Sequence, residues 1–251
     1  MDFTLATYKT LIGSLLKARY TFETFDTFVR STGNRTIVLR HDVDLLPHHS
    51  LEFAKIQANH GIKGTYYFRA VPESWDEQVI LEISGLGHEI GYHYECLSTT
   101  GGNLEKGILD FEKNLGELRK LAPVSTICMH GSPMSKYDSK DLWNTYDYRE
   151  YGILAEPYFD IDYDRVFYLT DTGRQWDGHN VSVRDRVQTS QKRTYHTTSE
   201  IIEAITTDHF PERVMFTFHP QRWSDNMMLW GKELVFQNVK NVIKKHFFVK
   251  A

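Results

Sequence analysis

Short runs of β-branched or aromatic residues alternate with helix-periodic stretches along this chain, and no other feature narrows its fold as much. Residues 36–44 (TIVLRHDVD), 65–69 (TYYFR), 89–93, 124–129, 166–170 and 214–218 read as strands. Between them, residues 48–59, 77–86, 103–121 and 198–208 carry apolar side chains at helical spacing. The clearest is 103–121, with Leu104, Ile108, Phe111, Leu115 and Leu118 on one stripe. Helices are also expected at 4–19, 22–30 and 234–246, and an irregular aromatic-rich region at 132–164. Consecutive strands separated by helices pair in parallel through right-handed crossovers. The expected fold is therefore α/β, with one domain over residues 1–251 and extra N-terminal helices over about 1–34.

Reactive groups cluster at the strand ends. Asp42 and Asp44 close the first strong run. Being two apart, they project to one face of an extended strand. Two close carboxylates need a cation or a shared proton to relieve their repulsion, which suggests a metal ligand beside a general base. Two solvated acids in a loop before Pro47 are the plainer alternative. Arg69, His93 with Glu95, His130, Asp171 and His219 fall likewise at or just after strand tips. A single histidine in such a place is more often structural. Agreement across all the tips favours a site at one mouth, provided the strands close into a barrel.

With HDVD at residues 41–44, GHEIGYH at 87–93 and TFHP at 217–220, the chain resembles the polysaccharide deacetylase family, also called carbohydrate esterase family 4 or the NodB homology domain. The resemblance runs from about Arg40 to Trp223. It implies a distorted NodB-like (β/α) barrel of about seven strands. It also implies a hydrolase acting on carbon–nitrogen (non-peptide) or ester bonds, which removes N- or O-acetyl groups from sugars with one divalent metal, commonly zinc. By the same resemblance Asp42 is the general base, Asp44 and His93 are metal ligands, and His219, oriented by Asp171, is the general acid. The family's second metal histidine would fall at position 97, which is Leu97, and its usual arginine is missing from His130-Gly131-Ser132-Pro133.

The residues themselves narrow the third ligand. His88 begins the strand that His93 ends, on the order of 16 Å away, so both cannot bind one ion. Glu95 shares the face of His93 and offers an oxygen acceptable to zinc. His130 comes from the next strand tip and is the more usual ligand type, so it is preferred, with Glu95 as the alternative. The expected chemistry is attack of an activated water on an acyl carbonyl, with a backbone N–H of the Gly131–Ser132 turn helping to hold the oxyanion. Arg69, Tyr67, Trp176 and Trp223 are the candidate substrate contacts, because aromatic faces suit sugar rings.

A net charge of −4 gives no support for nucleic-acid binding. Cys96 and Cys128 form no CxxC pair. The first residues have neither a basic start nor a long apolar block, and no apolar run is long enough to span a membrane. The expectation is a cytoplasmic protein, for which Asn180-Val181-Ser182 carries no meaning as a glycosylation acceptor. The expected substrate is an acetylated sugar, nucleotide-sugar or lipid-linked glycan in surface-polysaccharide biosynthesis. Two alternatives are a catalytically degenerate glycan-binding member of the same fold and a metal-dependent amidase acting on a non-sugar amide.

Overall fold

The computed structural model describes residues 1–132, 135–176 and 187–247, the side chains of 243–247 excepted. Pro133 and the Asn180-Val181-Ser182 acceptor lie outside the described residues. In chain order the elements are α1 (Leu5–Lys17), β1 (Thr21–Glu23), α2 (Phe25–Phe28), β2 (Thr36–Val43), α3 (Pro47–Asn59), β3 (Thr65–Phe68), α4 (Glu77–Gly85), β4 (Glu89–Tyr94), α5 (Cys96–Thr99), α6 (Leu104–Arg119), β5 (Ile127–Met129), α7 (Pro157–Asp160), β6 (Phe167–Thr170), α8 (Thr198–Thr206), β7 (Arg213–Phe218) and α9 (Met227–Phe247).

All strand pairs are parallel, in the order β5-β4-β3-β2-β7-β6. Central β2 is buried over its whole length. β1 pairs with its first half, Thr21 opposite Thr36, and β3 with its second half, Arg40 opposite Thr65. The helix expected at 22–30 is thus corrected to a short strand followed by the single turn of α2. Pairing along the edge of β2 that β3 leaves free, over residues 36–38, overrides local helical preference there. The sheet curls with helices outside. Its end strands β5 and β6 are not paired with each other among the described residues, so the barrel stays open on that side. Ala155 and Tyr163 from the irregular region, and Val166 just before β6, pack into the inner cluster.

Both faces of β2 are covered, which explains why its sequence shows no apolar–polar alternation. Ile37, Leu39 and Val43 join the large cluster that includes the helices, while Val38 joins a smaller inner cluster with Tyr67, Cys128 and Met215. Arg40 and Asp42 follow Val38 on the inner face by the period of two. His41 points the other way. Its Nδ1–H donates to the Thr65 carbonyl at 3.0 Å and its Nε2 accepts from Gln57 at 2.9 Å. Burial pushes its pKa down to about 3, so this histidine is a neutral core residue. Gly91 has a steric reason, since a Cβ there would run into the Tyr67 ring on the neighbouring strand. Because the strands are parallel, their C-terminal tips open at one end of the curl, where the reactive groups collect.

Candidate metal centre and acid–base groups

Asp44 lies one residue beyond β2, turned by a hydrogen bond from its N–H to the Asp42 carbonyl (3.1 Å). Its Oδ1 lies 3.6 Å from His93 Nε2 and 3.5 Å from His130 Nε2. His93 projects from β4, and its Nδ1–H donates to the Cys128 carbonyl at 2.9 Å. That bond fixes the tautomer and leaves the Nε2 lone pair facing the carboxylates. His130 follows β5 and is held in the same manner, its Nδ1 bonding Glu95 Oε2 at 3.0 Å. Arg69 grips Glu95 through Nε (2.8 Å) and Nη2 (3.0 Å), and its Nη1 donates to the Asp44 carbonyl (3.0 Å). Glu95 is therefore corrected from alternative ligand to the group that orients one, because both its oxygens are engaged.

The donor set fits a divalent cation. Asp44 Oδ1 is buried and has no hydrogen-bond partner. Beside two imidazole lone pairs it completes an O,N,N triad whose ligand atoms lie within 4.8 Å of one another. Burial alone would raise the Asp44 carboxyl, but His93, His130 and His219 around it outweigh burial and hold it well below the ordinary value. A second grouping, Asp42, His93 and Cys128, satisfies the same separation. Its carboxylate is already neutralised by an arginine, so the Asp44 set is the better fit.

That arginine is Arg40. Its Nε donates to Asp42 Oδ1 at 2.8 Å and its Nη2 to Oδ2 at 2.6 Å, with Arg40 1% and Asp42 3% exposed. The guanidinium also faces the rings of Tyr67 and Tyr158. Asp42 Oδ2 lies 3.7 Å from His93 Nε2. The counter-charge of Asp42 thus comes from two residues earlier on the same strand. The same-face spacing used to pair Asp42 with Asp44 would have found it.

His219, one residue past β7, donates from Nδ1 to Asp171 Oδ1 at 2.6 Å and turns Nε2 toward Asp44 Oδ2, 3.8 Å away. Asp171 is fully buried and also accepts from the His219 N–H, Arg222 Nη1 (2.9 Å) and Trp223 Nε1 (2.7 Å). Burial would lift its carboxyl, but His219 and Arg222 keep it below the ordinary value. Asp42, Asp44, His93, His130, Asp171 and His219 therefore converge at one mouth. Arg222 and Gln221, whose Nε2 donates to Asp44 Oδ2 at 3.3 Å, were not singled out from the sequence.

The expected substrate contacts fare differently. Tyr67 is fully buried with its hydroxyl on Thr126. Trp176 is 3% exposed, bonds Thr198 and packs on Phe216 and Phe218. Trp223 is 1% exposed, with its indole N–H on Asp171. None presents a ring to solvent, so sugar stacking on these three is corrected to core packing and, for Trp223, carboxylate positioning. Arg69 reaches the mouth, and three of its five N–H donors are used on Glu95 and Asp44. Of the Gly131–Ser132 turn, one of whose N–H groups is expected at an oxyanion, the Ser132 N–H closes onto the His130 carbonyl. Leu97 is 3% exposed in the core, and His88 is a strand-start residue bonded to Gly64 and Ala54.

No family model and no curated protein matches the chain. Among solved structures it is similar to a family 4 carbohydrate esterase from Bacillus subtilis, at 13% identity and TM-score 0.43, over 92% of this chain and 83% of that one. It is similar to another from Bacillus anthracis, at 12% identity and TM-score 0.41, over 81% and 76%. A family 4 pseudoenzyme matches at 10% identity and TM-score 0.41, over 83% and 62%. These likenesses concern the course of the chain and assign nothing to individual residues.

Proposed function

We propose that this chain is a metal-assisted deacetylase that removes an N- or O-acetyl group from a sugar or glycan precursor. The observation that carries the reading is the buried, unpartnered Asp44 Oδ1 facing two oriented imidazoles, with a clamped carboxylate and a carboxylate-held histidine beside it. Asp44, His93 and His130 would hold the ion, zinc being the first candidate for one oxygen and two nitrogens. When bound, it supplies Lewis-acid polarisation of the acyl carbonyl and a lowered pKa for water.

The remaining chemistry belongs to the chain. Asp42 takes the proton of the attacking water, and Arg40 fixes its plane and direction. His219 gives a proton from Nε2 to the departing nitrogen or oxygen as the acyl bond breaks, releasing acetate and the free amine or alcohol. Asp171 holds the imidazole by Nδ1 so that Nε2 faces the mouth, and Arg222 and Trp223 hold Asp171 in place. The proposal includes a nucleotide-linked or lipid-linked precursor of a surface polysaccharide, acted on in the cytoplasm. In the described residues no helix is long and apolar enough to cross a membrane.

The test is elemental analysis of the purified protein beside Asp44→Ala and His93→Ala, followed by acetate release from acetylated sugars. About one divalent ion per chain, lost in both variants, with acetate released by the wild type alone, is the expected result. Absence of metal after zinc loading and removal of excess would overturn the metal centre. Bound metal with release only from non-sugar amides would replace the sugar substrate with a simple amide.

A further inference from the structure

Helix α9 leaves an apolar stripe exposed on its outer face. Surface helices turn polar residues outward and apolar ones to the core. Here the body-facing stripe holds two amides beside Trp230: Gln237 is 3% exposed, Asn241 Nδ2 donates to the Gly173 carbonyl at 2.8 Å, and the Trp230 indole N–H donates to the Asp2 carbonyl at 2.8 Å. The opposite stripe, at spacings of seven, four and three, is Met228 (81% exposed), Val235 (65%), Val239 (54%) and Val242 (59%). Leu229 and Phe236 widen it on one side, at 47% and 55% exposure.

Charge singles out the occupant. The whole chain is −4, yet α9 holds Lys232, Lys240, Lys244 and Lys245 against Glu233 alone, a formal +3. Lys232 and Lys240 are both exposed, and the Lys240 ammonium sits 4.1 Å from the Phe236 ring centroid, at the border of the apolar stripe. A second copy meeting this face would bring positive charge against positive charge. An anionic lipid headgroup layer over an apolar acyl boundary complements both halves.

We infer that α9 docks the protein on an anionic membrane surface, with its apolar stripe at the acyl boundary and its lysines among the headgroups. The docked face is continuous with the candidate site. Leu229, Phe236 and Lys232 line a groove of about 430 Å³ together with His49, Gln221 and Arg222. Gln221 and Arg222 are the residues that bond Asp44 and Asp171. Docking therefore sets the mouth of the site at headgroup level, where the polar end of a lipid-linked substrate is presented. Membrane docking stands on α9 without the deacetylase reading, whereas the lipid-linked substrate rests on that reading.

Flotation of the full chain with phosphatidylglycerol vesicles, and separately with phosphatidylcholine vesicles, tests it. Binding to the anionic vesicles at least tenfold tighter than to the neutral ones is expected, weakening with salt. Lys232→Gln and Lys240→Gln should each weaken binding by about fivefold. Val235→Asp with Val239→Asp should abolish it while leaving the unfolding midpoint and the metal content unchanged. Equal affinity for both vesicles, or no binding to either, would overturn the inference. So would self-association in solution that the valine variants remove, since that would make the face a contact between copies.

Discussion

Arg40→Met keeps the aliphatic bulk of the side chain and removes the guanidinium that meets both oxygens of Asp42. The pair is almost wholly out of water, with 1% of Arg40 and 3% of Asp42 exposed, and its bonds are 2.8 and 2.6 Å. Hydrogen bonds to charged groups are each worth about 1.5–3 kcal/mol, and breaking one side of a buried pair costs about 3–5 kcal/mol because the other charge is stranded. Asp42 would be stranded close to Asp44, which raises the cost toward the upper end. With a urea slope of about 3 kcal/mol per molar, the unfolding midpoint should fall by about 1–1.7 M. Asp42→Asn leaves Arg40 without a counter-charge and should fall by a similar amount. In Arg40→Met with Asp42→Asn neither charge remains, so the double variant should recover about 2–3 kcal/mol relative to the sum of the singles. The measurement is urea unfolding of all four proteins in the presence of a chelator. Simple additivity, or a loss under about 1 kcal/mol in Arg40→Met, would refute the account of a clamped, desolvated carboxylate.

Glu95→Gln leaves His130 a weaker orienting partner and should reduce divalent-ion affinity by about 10- to 100-fold in a competition titration, with little change in fold. Trp223→Phe removes one of the donors on Asp171. It should lower stability by about 1.5–3 kcal/mol in urea unfolding, and turnover should fall more than KM rises. Gly91→Ala forces a methyl into the Tyr67 ring, and calorimetry should show a loss of about 1–3 kcal/mol. Glu156 is fully buried, and burial pushes its carboxyl from 4.5 up to about 7, against the Met129 and Tyr158 N–H groups that lower it. The native state therefore binds its proton more tightly than the unfolded chain. Its contribution to stability is fully present below about pH 4.5 and is lost as pH rises through about 7, on the order of 3 kcal/mol in all. Comparing Glu156→Gln with wild type at about pH 4 and pH 8 should show the gap shift by that amount in favour of the variant. A gap independent of pH would mean that the Glu156 carboxyl titrates alike in the native and unfolded states and is not raised by burial.

How much could be read from the chain depended on what a spacing rule can see. Strand tips are local, so Asp42, Asp44, His93, His130, Asp171 and His219 were found by noting where apolar runs stop, and parallel pairing then brought them together. Arg40 and Arg222 were overlooked for different reasons. Arg40 sits inside a strand, where a charge reads as an anomaly rather than a partner. Arg222 lies in a short turn with no periodicity at all. The aromatic residues misled because Tyr67, Trp176 and Trp223 carry the same chemistry whether they line a mouth or fill a core, and only tertiary burial separates the two. β1 escaped because three residues hold no period, and its existence depends on the edge of β2 that β3 leaves free. Leu97 looked like a missing ligand. It packs against α6, and the second imidazole that faces Asp44 belongs to His130, just past β5.

β2 carries a hydrophobic floor, a counter-charge and a carboxylate at Val38, Arg40 and Asp42, and packs the helices with Ile37, Leu39 and Val43 in between. It behaves as a message with a two-letter frame. Insertion or deletion of a single residue before Arg40 would invert every later side chain. Arg40 and Asp42 would be driven among the helices, while His41 and Val43 would turn into the barrel. Packing and chemistry would fail in the same event, with no intermediate in which one survives. A change of length is therefore far costlier within β2 than a substitution at any one of its positions.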